Sequence, residues 1–255
     1  MLEKAILEKE LENAIQWIRQ YVKDTKAKGV VIGNSGGKDS AVVLAMAVNA
    51  IGKENVLAVA MPCFSKNNDL EDAKLVADTF GVKLLKVELD NSYTEMEKEI
   101  NLNLGEALSK EAIINMKPRL RMTTLYAIAQ TLGYLVIGTG NLCEAMVGYT
   151  TKWGDNSSDF NPIGNFTVEE VLEIGRILGV PNEILQKSPS DGLGGQTDEE
   201  KMGITYQQIA EMIETGMTEE NAKKEIIHRY QNSKHKRITV PTYRFERKNY
   251  LTELD

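Results

Sequence analysis

Leu7, Leu11, Ala14, Ile15, Ile18, Tyr21 and Val22 recur at helical spacing, and no Gly or Pro interrupts residues 2–24, so the chain opens with an amphipathic helix. The pattern then changes to short runs rich in β-branched residues: Val30-Val31-Ile32, Val56 to Met61 and Val82 to Leu89. These runs start 26 residues apart, and helical stretches at about Ser40 to Ile51 and Leu70 to Phe80 fill the gaps. Strand and helix alternating at this spacing predict right-handed βαβ units, hence a parallel sheet covered on both faces. Residues 93–132 read as mostly helical, and Tyr134 to Ile137 supply another buried strand. The expectation is a single α/β domain over residues 1–255, a doubly wound parallel sheet of at least four strands flanked by helices.

Beyond the fourth strand the chain turns Gly-, Asn- and Asp-rich from Gly138 to Phe166. That exceeds the roughly 15 residues of ordinary connections, and long loops at strand ends commonly carry function. Thr167-x-x-Glu170 then reads as a capping box for a helix ended by Gly179 and Pro181. Ser188 to Gln196 form a second Gly-rich loop; Thr197-x-x-Glu200 and Thr205-x-x-Gln208 are further boxes, with helices filling Tyr206 to Gln231.

Composition excludes several classes. With 42% hydrophobic and 26% charged residues in 255, the chain is that of an ordinary globular protein, large enough to need no disulfides. No run approaches the roughly 20 apolar residues of a membrane span, and the acidic MLEKAILEKELENAI start does not read as a signal peptide, so a cytoplasmic protein without membrane contact is expected. Cys63 and Cys143 stand in no metal spacing and read as free thiols. A net charge of −7 argues against a nucleic-acid partner, although residues 232–255 hold six Lys or Arg against three acids, a basic tail on an acidic body.

Candidate chemistry begins after the first strand. Gly33-Asn34-Ser35-Gly36-Gly37-Lys38-Asp39-Ser40 joins a buried strand to a helix, where an open parallel sheet presents ligands. Glycines let backbone N–H groups approach an anion, and the helix N-terminus adds partial positive charge, so a phosphate is expected here. A Walker A loop fails, because Ile32 stands where its first Gly belongs and Asp39 follows Lys38; a dinucleotide fingerprint at Gly138-Thr139-Gly140 fails at Cys143. The remaining pattern, Ser-Gly-Gly-x-Asp-Ser, resembles the ATP pyrophosphatases, which grip the pyrophosphate of ATP in such a loop; the resemblance implies an adenine nucleotide alpha hydrolase-like fold.

Further segments narrow the resemblance. Asn115 to Tyr126 with Arg119 and Arg121, Gly138-Thr139-Gly140-Asn141 with Glu144, Gly148 to Asp155 with Lys152, Asp159 and Pro162, Gln196 to Glu199, and His235-Lys236-Arg237 are similar to ammonia-dependent NAD synthetases in order and spacing. The resemblance implies a ligase of NAD biosynthesis that amidates deamido-NAD in two steps. The nicotinate carboxylate takes AMP from ATP, releasing pyrophosphate, and ammonia then displaces the AMP. It assigns ATP contacts to the loop residues 33–40, Thr139 and Ser190. It assigns deamido-NAD contacts to Arg119, Lys152, Asp159, His235 and Lys236, and magnesium to Asp39 and Glu144. Asp39, Glu144 and Lys152 are thereby the residues expected to carry catalysis. A homodimer is implied, and 255 residues leave no room for a glutaminase domain, so free ammonia or a separate partner is the expected donor.

The same residues admit plainer roles. Arg119 suits a helix-end salt bridge, Glu144 an exposed loop acid, and His235 with Lys236 a solvated tail. The chain also departs from the family pattern: Val168 stands where a lysine is usual, Asp191-Gly192 shift an acid by one position, and Asn156-Ser157-Ser158 replace glycine-rich residues. An adenylating enzyme with another acceptor, or an ATP-binding chain that does not turn over, therefore stay open as alternatives.

Overall fold

The computed structural model describes residues 1–65, 67–187 and 197–243. The chain runs through α1 (Lys4–Asp24), β1 (Val30–Gly33), α2 (Lys38–Ile51), β2 (Val56–Ala60), α3 (Asn67–Phe80), β3 (Lys83–Lys86), α4 (Asp90–Leu104), α5 (Lys110–Leu132) and β4 (Leu135–Val136). Short and long helices follow: α6 (Leu142–Val147), α7 (Val168–Leu178), α8 (Asn182–Leu185), α9 (Asp198–Met202), α10 (Tyr206–Thr215) and α11 (Glu220–Asn232).

The four strands form one parallel sheet in the order β3-β2-β1-β4. Val30 pairs with Val56 on one side and Leu135 on the other. Alternate side chains of each strand point to opposite faces. Val30, Ile32, Val56 and Ala58 enter a core shared with α1, α2, α3 and α7, whereas Val31, Leu57 and Val59 enter one shared with α4 and α5. Both faces are covered, as expected of a doubly wound sheet. The central α2 packs between α1 and α7, which is why ten of its 14 residues are buried. A third apolar cluster, built from α6, α9, α10 and α11 around Cys143, Ile204 and Ile209, stands beside the sheet.

Two elements differ from the sequence expectation. The predicted strand Val82 to Leu89 shortens to β3, an edge strand that among the described residues pairs only with β2, although Val87 and Leu89 still donate to Ala60 and Pro62 beyond it. The segment 138–166 is not one irregular loop. Asn141 caps the six-residue α6, and Ile137 bridges Phe160 in parallel, so the segment leaves the sheet and returns to β4. The boxes at Thr167, Thr197 and Thr205 all form, each with its reciprocal pair of hydrogen bonds.

Strand order decides where the site lies. After β1 the chain steps outward to β2 and β3, then crosses back to place β4 on the other flank of β1. Between β1 and β4 the connections leave in opposite directions, opening the crevice where such sheets bind ligands. Among the described residues no helix is long and apolar enough to cross a membrane.

Candidate active site at the carboxyl ends of β1 and β4

The Gly-rich loop is held by its own side chains. Buried Asn34 donates from Nδ2 to the Ala73 carbonyl at 2.8 Å and accepts the Gly36 N–H at 3.2 Å. Ser35 Oγ accepts the Gly37 N–H, and Ser40 Oγ donates to the Gly37 carbonyl at 3.0 Å. Gly36 adopts φ +73°, and a Cβ there would sit 2.7 Å from the Asp69 carbonyl oxygen, so only glycine lets the loop lie against α3. The first-turn amides of a helix have no intrahelical acceptor. Those of α2 follow Gly37 directly, which makes this turn suited to an anion.

Asp39, in the first turn of α2, meets Glu144, in the first turn of α6, through one residue. Asn141 is fully buried. Its Nδ2 donates to Asp39 Oδ1 at 3.3 Å, its Oδ1 accepts the Glu144 N–H at 3.0 Å, and its own N–H donates to Glu144 Oε2 at 2.9 Å. Asn141 thus caps α6 and clamps both carboxylates. Loss of water and the adjacent Asp39 charge hold the Glu144 carboxyl well above the usual carboxylate range, against the opposing pull of the Asn141 N–H and Lys38.

Lys38 turns into the same crevice. Its Nζ lies 3.0 Å from Asp39 Oδ2 and 5.7 Å from the centre of the Tyr206 ring. Burial works against its charge, but Asp39, Glu144 and Asp198 outweigh that cost and the ammonium is held above its ordinary value. Asp198 and Tyr206 belong to the segment that follows residues 188–196. Tyr149 and Tyr206 both donate hydroxyl protons to the Asp198 carboxylate, at 3.1 and 3.5 Å.

The residues expected to meet a dinucleotide fall into several places. Arg119 on α5 donates from Nε and Nη2 to the Lys152 carbonyl, each at 3.3 Å, so these two are brought together, and Lys152 Nζ lies 5.3 Å from the Trp153 ring centre. Thr139, half-buried, lies on the β4–α6 connection between Gly138 and Gly140, whose carbonyl takes Asn161 Nδ2. The Asp159 carboxylate accepts the Val136 N–H at 2.7 Å and the Tyr126 hydroxyl at 3.3 Å, which extends pairing beyond β4. Lys236 donates to the Gly148 and Thr150 carbonyls at 2.7 and 2.5 Å, and Arg237 to those of Ala145 and Met146, so this part of the basic tail caps the end of α6. His235 and Lys236 line a cleft between α6 and α11, with Val147, His228 and Asn232. Ser190 and the Asp191-Gly192 departure lie outside the described residues; Val168, by contrast, is a buried first residue of α7.

Sequence reasoning gave no role to Asn141, Asp198 or Tyr206. Asn141-x-x-Glu144 was a visible signal, being a capping box like the three that were read. Asp198 falls in the Gln196 to Glu199 segment of the resemblance, but nothing local directs it or Tyr206 to the crevice. Among the described residues no three His, Cys, Asp or Glu side chains converge on a common point. The pair of carboxylates nonetheless fits magnesium, a hard cation that takes one or two carboxylates and completes its shell with phosphate oxygens and water.

The chain is similar to known proteins over most of its length. A family model described as NAD synthase matches residues 10–250. An NH(3)-dependent NAD(+) synthetase of Carboxydothermus hydrogenoformans is 45% identical over 210 residues, covering 82% of this chain and 86% of that protein. The solved structure of NMN synthetase from Francisella tularensis superimposes with a TM-score of 0.88 at 33% identity, covering 94% of this chain and 99% of that one. An NH3-dependent NAD synthetase from Campylobacter jejuni, in complex with the nitrate ion, gives a TM-score of 0.77 at 26% identity over 96% and 100% of the two chains.

Proposed function

The chain belongs to the NAD synthase family, and from that premise we propose that it is an ammonia-dependent ligase that amidates deamido-NAD to NAD with ATP, releasing AMP and pyrophosphate. The observation that carries the proposal is the Asp39–Asn141–Glu144 arrangement beside the Gly-rich loop, at the point where strand order reverses. Loop amides and the α2 N-terminus take the triphosphate, with residues 33–40, Thr139 and Ser190 as the ATP contacts. The nicotinate carboxylate attacks the α-phosphorus, the bond to the β-phosphate oxygen breaks, and pyrophosphate leaves. Ammonia then attacks the acyl carbon, AMP departs with the electron pair, and a proton is released as the amide forms. Alignment and charge stabilisation supply the rate, so no side-chain nucleophile is needed.

Asp39 and Glu144 would hold magnesium, which when bound neutralises the charge developing on the leaving pyrophosphate. Lys152, fixed through its carbonyl by Arg119, supplies a cation to the acceptor, and the third proton of the Lys236 ammonium remains for an anion beyond the two carbonyls it holds. His235 and Asp159 complete the acceptor set in this reading. We further place the protein in the cytoplasm as a homodimer acting on small molecules alone, without nucleic acid or membrane. Exposed Ile100 and Leu104 on α4 and Ile114 on α5 support a partner face, and the free thiols Cys63 and Cys143 support a reducing compartment.

A second reading is favoured by one observation: the NMN synthetase structure superimposes with the higher TM-score, 0.88 against 0.77. On that reading the acceptor is nicotinate mononucleotide, the half of deamido-NAD that carries the reacting carboxylate. One experiment separates the two. The protein is incubated with ATP, magnesium and ammonium and either acceptor, and AMP and the amidated nucleotide are quantified by chromatography. AMP and NAD formed one to one establish the first reading, NMN in place of NAD the second, and ammonium-dependent AMP with neither acceptor refutes both.

A further inference from the structure

Lysine is among the last residue types to be buried, and when it is buried it is paired. The Lys38 side chain is 8% exposed and its Nζ stands 3.0 Å from Asp39 Oδ2, while Asn141 donates to the other oxygen of the same carboxylate. Both oxygens of Asp39 therefore have a protein donor before any ligand arrives. The ammonium also faces the Tyr206 ring, and the Glu144 and Asp198 carboxylates favour its charge, so one cation joins the start of α2 to the α9–α10 segment within reach of the α6 carboxylate's field. A divalent cation that coordinates Asp39 must do so beside a fixed positive charge, and must draw Oδ2 away from it. Two like charges a few ångströms apart repel strongly where water is scarce. Phosphate oxygens change both terms. They offer the metal further ligands, and they give the three Lys38 donors a new acceptor.

We propose that Lys38 is a built-in counter-cation of the Asp39–Glu144 pair, which balances the crevice while nucleotide is absent and makes divalent-metal binding there depend on the arrival of ATP. The proposal rests on the reading of Asp39 and Glu144 as the metal carboxylates. It makes Lys38 a determinant of binding order, where the resemblance implied one more ATP contact in a phosphate loop.

Manganese is the probe, followed by the electron paramagnetic resonance of the free ion and, in ternary complexes, by its enhancement of water-proton relaxation. The full chain is used throughout, without acceptor or ammonium so that no turnover occurs. Nucleotide-free wild type and Lys38→Arg, which keeps the charge, are expected to bind manganese weakly. Lys38→Met should bind one equivalent at least roughly tenfold more tightly, as removal of a unit charge beside the ion requires. With ATP, wild type should show relaxation enhancement and Asp39→Asn should not. Tight, stoichiometric binding by nucleotide-free wild type, or equal affinities of wild type and Lys38→Met, overturns the counter-cation proposal alone. Enhancement in Asp39→Asn equal to wild type overturns the metal reading beneath it. Thermal melting establishes that each variant is folded; should Lys38→Met not fold, nucleotide-free wild type decides the question.

Discussion

Replacing Asn141 with serine removes one hydrogen bond from the carboxylate pair while keeping the cap on α6. Serine is as good an N-cap as asparagine, so the bond to the Glu144 N–H survives, and so does the backbone bond from residue 141 to Glu144 Oε2. What is lost is the Nδ2 donor to Asp39 Oδ1. A hydrogen bond to a charged group contributes roughly 1.5–3 kcal/mol. The smaller side chain also leaves a void at a fully buried position, of the order of 1 kcal/mol if water does not fill it. Asn141→Ser should therefore lose about 2–4 kcal/mol of unfolding free energy by urea titration, and Asn141→Ala about 1 kcal/mol more, for the missing cap. Asp39, freed on one side, no longer holds its orientation toward the crevice. If about half to all of the lost bond is expressed in the transition state, kcat falls roughly threefold to a hundredfold. The steady-state assay is AMP release at saturating ATP, ammonium and acceptor. An Asn141→Ser variant with wild-type kcat and wild-type stability would refute the claim that Asn141 positions Asp39. Equal stability of the serine and alanine variants would refute the claim that it caps α6.

Other perturbations test separate parts of the structure. Glu144→Gln keeps an acceptor for the box on α6 but removes a carboxyl whose native pKa is raised; such a group stabilises the fold fully below its unfolded value and loses that contribution as pH rises through the native value. Metal-free wild type should therefore lose Tm relative to Glu144→Gln from the ordinary Glu range upward, while the variant is inactive, and parallel Tm–pH curves would count against the raised value. Gly36→Ala forces a side chain into φ +73° and 2.7 Å from the Asp69 carbonyl, so it should cost about 2 kcal/mol or more in denaturant titration and weaken ATP binding, and a wild-type midpoint would show the loop to be slack. Lys152→Ala, at a half-buried position whose backbone Arg119 continues to hold, should raise the acceptor KM or lower kcat at unchanged Tm. Unchanged kinetics would remove Lys152 from the site.

The layering of the fold was legible because its signals are local. The runs starting at Val30, Val56 and Val82 hold three of the four strands, and three Thr-led boxes started helices where the spacing placed them. The Gly-rich loop was legible for the same reason, since Gly36 and the flanking Ser and Asn residues serve the turn in which they stand. The helix α6 was not read, because six residues carry no periodicity and its one signal, Asn141-x-x-Glu144, lay inside a segment dominated by loop residues.

Neighbours distant in sequence were settled by folding alone. Nothing local tells Asp39 that Asn141 will stand 3.3 Å away; that follows from β4 joining the free flank of β1, a choice made by burial of both sheet faces. Lys236 and Arg237 stand in a basic tail whose acceptors, the carbonyls of Ala145, Met146, Gly148 and Thr150, lie 86 to 92 positions back in the chain and meet it only when the tail folds against the end of α6. Lys38 read as a loop cation until α9 and α10 closed over it with Asp198 and Tyr206. Periodicity and turn chemistry act over a few residues and so are written in the chain in order; charge pairing and desolvation depend on which segments share a crevice, and only the packed sheet and its helices decide that.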